Sequence, residues 1–129
     1  MNESVVESIS LENGLTLDIL DAGRAVEGGW WLVHLIARIE VFLTPGLLDS
    51  VPDGDRLLGT LKQEYGEAIE YRTDLKKHFV SENDRHRVFQ EFKDIIHREK
   101  RPYLSHPDFA KRFALSRIAE LTRVTGGRC

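Results

Sequence analysis

In the stretch that leads up to Ser81, from Ile69 on, the inward positions of this chain recur every second residue. Beyond Ser81 they recur every third or fourth, and that change of period limits the folds open to it. Ile69, Tyr71, Thr73, Leu75 and Phe79 alternate with Glu70, Arg72, Asp74, Lys76 and His78, the pattern of a strand with one solvated face. Val88, Phe89, Phe92, Ile95 and Ile96 then form the apolar stripe of a surface helix. Ser81 and Asp84 mark the junction as a capping-box-like helix start, with Asp where Glu or Gln is usual. A sheet followed by helices is the consequence, and the fold class is α+β.

The same alternation opens the chain. Ile9 and Leu11, then Leu15, Leu17 and Ile19, are apolar on either side of Asn13-Gly14, which signals a hairpin. A two-residue loop would place Leu15 and Leu17 on the face opposite Leu11, because a slip of one residue inverts every side chain. A three-residue loop, Glu12-Asn13-Gly14, pairs Leu11 with Leu15 and Ile9 with Leu17. All the apolar side chains then share one face, and Gly14 takes the left-handed position of the bulged turn. The three-residue loop is therefore expected.

Residues 21–29 read as a loop leaving through Gly28-Gly29, and residues 30–42 as a long central strand. Its odd positions from Trp31 to Val41 are all apolar, while the even ones mix Trp30, Leu32, Ile36 and Phe42 with His34, Arg38 and Glu40. Leu57, Leu58, Leu61 and Tyr65 make a short helix that Asp55 can cap and Gly66 stops. Further helices are expected over 82–99, ended by Pro102, and over 107–124, with Pro107 at its first position. Strands near 9–12, 15–20, 30–42 and 68–80 then form a mostly antiparallel four-stranded sheet. The element order is β-β-β-α-β-α-α, with the helices packed on one face.

A length of 129 residues fits one domain, with loose ends expected near 1–7 and 125–129. Hydrophobic content of 41% and charged content of 30% exclude a globally disordered chain. The lone cysteine, Cys129, excludes an intramolecular disulfide. Residues 1–8 lack the basic-then-apolar pattern of a signal peptide, and the longest apolar run, 28–37, is interrupted by His34 and far too short to span a bilayer. A cytoplasmic protein without a membrane segment is expected. Residues 1–80 hold 7 Lys/Arg against 14 Asp/Glu, and residues 81–129 hold 11 against 7. The basic charges are interleaved with acids, so attraction between the two parts of one fold is favoured over nucleic-acid contact.

The segments LENGLTLDILDAGR, ARIEV and YLSHPDFAKRF resemble those of a small bacterial family of uncharacterised proteins. The resemblance spans most of the chain and implies no activity and no catalytic residues.

Chemistry-bearing constellations are sparse. His86 and His97 lie within about 20° of each other on a helical wheel but roughly 16 Å apart along the axis, too far for one ion. Neither an H-x₃-H nor an H-E-x-x-H spacing occurs, and no metal or cofactor is expected. His86, Lys93, His97 and Lys100 form a basic stripe that suits phosphate or an acidic partner, although any surface helix presents a charged outer face. No nucleophile elbow is present, and Gly28-Gly29 opens a strand rather than a phosphate-binding helix. His34, Arg38 and Glu40 share a strand face and could supply acid–base chemistry. Glu99 and Arg117 both fall within apolar arcs and suggest an interhelical ion pair.

The most informative patch is Trp30, Leu32 and Ile36. These side chains point away from the face shared by the hairpin leucines. They are either covered by the chain itself or left as an apolar surface that drives association. The first expectation is thus a noncatalytic binding or interaction module acting as a homodimer. The alternatives are a small enzyme or small-molecule binder around His34, Arg38 and Glu40, and a nucleic-acid-associated protein using the basic C-terminal helices.

Overall fold

A computed structural model describes residues 3–126 of the chain. It is an α+β fold with a five-stranded antiparallel sheet. The strands are β1 (Ser4–Ser10), β2 (Thr16–Asp21), β3 (Arg24–Val26), β4 (Trp30–Phe42) and β5 (Ala68–Ser81). The helices are α1 (Gly54–Tyr65), α2 (Arg85–Ile95), α3 (Arg101–Leu104) and α4 (Phe109–Gly126). Two compact units divide the chain: Met1–Ile39 with Arg72–His106, and Glu40–Tyr71 with Pro107–Cys129. Of the ends expected to be loose, near 1–7 and 125–129, residues 1–2 and 127–129, Cys129 included, lie outside the described residues, while Ser4 onward belongs to β1 and α4 runs to Gly126.

The first unit is built on the predicted hairpin. Ile9 faces Leu17 and Ser10 faces Thr16. The Leu11 N–H donates to Leu15 O at 2.8 Å, which closes the three-residue loop with Gly14 at φ 90°. Ile9, Leu11, Leu17 and Ile19 are all buried, as the shared face requires. The strand also begins earlier than expected, at Ser4. A bulge between Val5 and Glu7 breaks the alternation there, so no two-residue period marks it in the sequence.

β3 is a strand the sequence did not announce. It continues β2 along the same edge of β4 in unchanged register: Leu17 faces Ile39, Asp21 faces Leu35, Arg24 faces Leu32 and Val26 faces Trp30. The Ala22 N–H donates to His34 O at 2.9 Å between the two segments. The expected four-stranded sheet thus gains a fifth strand, and the expected 21–29 loop shrinks to a tight turn at Glu27–Gly29.

β5 carries a second correction. Phe79, the last inward position of the alternation, takes a left-handed conformation at φ 59° and is 74% exposed. The kink moves Val80 inward instead, into a cluster with Val33 and Val88 that Trp31, Phe89 and Phe92 flank. Helix α2 therefore lies on the odd face of β4.

Beyond α2 the chain widens. Residues 96–100 form a π-helical turn in which the Arg101 N–H reaches back to Ile96 O. Pro102 then sits in the first turn of α3 instead of ending the helix. A five-residue turn absorbs the carbonyl that a proline cannot pair. It also takes Glu99 off the 3.6-residue wheel that put it in an apolar arc, and each member of the expected Glu99–Arg117 pair has its contacts within its own unit. Glu99 has a side chain 58% exposed and lies beside Arg98 at 3.4 Å. Arg117, in the second unit, donates to Glu70 O at 2.8 Å and sits 5.0 Å over the Phe113 ring.

The second unit packs α4 on the start of β5. Tyr71 meets Phe109 and Phe113 edge-on at 5.5 and 5.8 Å, and the two phenylalanines stack at 5.8 Å. Between β4 and α1 the chain winds through successive tight turns, among them Val51 N–H to Leu48 O at 3.0 Å and Gly54 N–H to Val51 O at 2.9 Å. These turns press Leu48, which is buried, onto Gly54.

Candidate functional site

The even face of β4 in the first unit carries the side chains singled out from the sequence. Only part of that patch is open. Leu32 is 8% exposed and Ile36 1%, whereas Trp30 is 43% exposed. The expected apolar surface of Trp30, Leu32 and Ile36 is therefore corrected to Trp30 alone. Ile36 faces Leu20, itself buried, and Leu20 faces Val5. This even-face apolar row goes unseen when β2 is read as charged on that side. Trp30 does not stand alone, however: the out-turned Phe79 meets it edge-on at 6.4 Å.

His34, Arg38 and Glu40 do not form one site. His34 and Arg38 are four residues apart along the strand, about 13 Å, and Glu40 is exposed and belongs to the second unit. Arg38 lies 3.4 Å from Asp18, which also accepts from Ser8 Oγ at 2.7 Å. His34 Nε2 lies 2.7 Å from Asp74 Oδ2. Because an ionised carboxylate only accepts, the histidine donates. Arg72 grips the same carboxylate with two bonds of 2.9 and 3.0 Å. Those bonds, chiefly, hold the Asp74 carboxyl at about 2 against a partial desolvation that opposes them, with His34 adding to the effect.

A stability consequence follows from Asp74. Its folded pKa is depressed, so its contribution is complete above 3.8 and fades as pH falls through about 2. Asp74→Asn is expected to cost about 1–2 kcal/mol near neutral pH, the pair being partly solvated. In urea unfolding across a pH series, the gap between wild type and variant should close between pH 3.8 and about 2.

The basic stripe of His86, Lys93, His97 and Lys100 is not a free surface. The Lys93 ammonium turns inward and lies 3.1 Å from Glu7 Oε1, out of line for a hydrogen bond. His97 Nδ1 accepts from Arg101 at 3.3 Å. The wide turn at 96–100 separates the last two members from the first two. Most neighbouring cations are also matched locally: Arg85 with Glu82, Arg87 with Asp84 and Glu91, and Arg98 with Glu99.

His86 instead lines a cleft of about 600 Å³ between the start of α2 and the odd face of the sheet. On one side Trp31 Nε1–H donates to Glu82 at 2.5 Å, and the Arg85 guanidinium lies 4.0 Å over the indole and 3.3 Å from the same carboxylate. Sequence reading missed this cleft and the His34–Asp74 contact alike. Both join residues 40 or more positions apart, and only the strand pairing brings them together. Among the described residues, no group of three or more metal-ligating side chains gathers, and no helix is long and apolar enough to cross a membrane. No family model, curated protein or solved structure matches this chain.

Proposed function

We propose that this chain is a noncatalytic interaction module that works as a homodimer, in the cytoplasm, and that its contact surface is the aromatic end of the sheet at Trp30 and Phe79. One observation carries the reading: two large aromatic side chains, 43% and 74% exposed, are held against each other at that end. Phe79 is kept there by a left-handed backbone at φ 59°, which costs a bulky residue on the order of 1 kcal/mol. Aromatic side chains are the commonest anchors of protein interfaces. A closed two-fold pairing buries such a patch on both copies at once.

Sedimentation velocity at micromolar concentration tests this. The wild type is expected to run as a dimer, and Trp30→Glu and Phe79→Glu as folded monomers. A monomeric wild type rejects the proposal. The second reading, a small enzyme or small-molecule binder at His34, has the Asp74-oriented imidazole in its favour. Binding to nucleic acid is supported less, since the cations of α2 largely face local acids.

A further inference from the structure

The odd face of the first unit loses side-chain volume along its length. Its rows run Ile9, Leu17, Ile39, then Glu7, Ile19, Ala37, then Ser4, Asp21, Leu35. Gly23 falls opposite Val33 in the same register, and Ala25 faces Trp31. Large apolar groups on the outer strands therefore stop at Ile19, while α2 continues overhead. That mismatch leaves the cleft of about 600 Å³, within the range of small-molecule sites. Its walls include Val33 and Phe89, and its rim includes Asn83 and His86.

The charges in the cleft do not balance. Glu82 and Arg85 satisfy each other and are tied to Trp31. Asp21 accepts the Gly23 N–H through Oδ1 at 2.9 Å, but no cation among the described residues is shown paired with it. With His86 counted as neutral, the unmatched formal charge in the cleft is therefore negative, and it sits beside an apolar wall.

We propose that this cleft binds a small organic amine, its ammonium on Asp21 and its apolar body against Phe89 and Val33. An ammonium supplies the donor and the charge that the Asp21 carboxylate lacks. An apolar body of up to drug size fits the volume. The proposal does not depend on self-association, because the aromatic end of the sheet and this cleft use different side chains.

The test is a titration of ¹⁵N-labelled protein with 2-phenylethylamine, following the Trp31 indole N–H with that of Trp30 as reference. Its acid counterpart, 3-phenylpropionate, and the variant Asp21→Asn run in parallel. Asn keeps the oxygen that accepts the Gly23 N–H, so the turn survives while the charge is lost. The expected result is saturable movement of the Trp31 signal by the amine in the millimolar range or tighter. Binding should be weaker by about tenfold in Asp21→Asn and weaker still for the acid. No saturable movement overturns the proposal, as does an amine affinity unchanged by Asp21→Asn. The comparison of amine with acid on the wild-type protein stands whether or not the variant folds, and equal binding of the two overturns it as well.

Discussion

Ile36→Asp is expected to unfold this protein, while Trp30→Glu, six residues away on the same strand face, leaves it folded. Ile36 is 1% exposed and faces the buried Leu20, whereas Trp30 is 43% exposed. Removing the isoleucine forfeits about 1.5–3 kcal/mol of burial. The new carboxylate adds several kcal/mol because it would be desolvated against Leu20 in the buried apolar row. A loss of at least about 5 kcal/mol reaches the whole stability of many domains of this size. Circular dichroism and urea unfolding of the two variants check it. An Ile36→Asp protein that stays folded and loses less than about 2 kcal/mol would mean that this face is open to water. The contact surface would then extend along β4.

Two glycines of α1 are expected to respond to alanine with opposite signs. At Gly54 an added Cβ would run into the backbone carbonyl of Leu48. Both residues sit in the succession of tight turns that leads into the helix, so neither yields cheaply. Gly54→Ala should cost about 2–4 kcal/mol, as overpacking against backbone does. At Gly59 nothing lies within 4 Å of such a Cβ, and the position is mid-helix and exposed. Gly59→Ala should stabilise by about 0.5–1 kcal/mol through backbone entropy alone. Thermal melts of the two variants beside the wild type measure both. Equal effects of one sign would mean that Leu48 does not press on the start of the helix.

Little of the candidate sites was legible in advance. The polar faces of β4 and β5 were visible as alternation, so His34, Arg72 and Asp74 were each placed on a solvated side. Which of them meet depends on the pairing of strands, and alternation is blind to register between distant segments. The cleft is harder still, because it arises from what is missing. Asp21, Gly23 and Ala25 are small or polar where the helix above would require bulk. Only with α2 in place over that face does the deficit become a cavity. The aromatic pair is half visible: Trp30 stands out in the sequence, but alternation counts Phe79 as inward, and its left-handed backbone turns it out.

By itself the sequence determined whatever depends on neighbours within a few residues. The three-residue hairpin loop followed from Asn13-Gly14 and from the need to keep Leu11, Leu15 and Leu17 on one face. The long strand Trp30–Phe42, the helix ended by Gly66 and the passage from strand to helix after Ser81 followed likewise from period and turn chemistry. Tertiary structure decided the rest. It recruited Arg24–Val26 as a strand, since three residues carry too little pattern to declare themselves but extend an existing ladder at small cost. It widened the turn before Pro102 and so left Glu99 exposed, where a regular helix would put it in the apolar arc. It buried Leu32 and Ile36 while leaving Trp30 in water, although all three share one face and one period. Local free energies choose the element. Which of its residues meet solvent is set by what the rest of the chain lays across it.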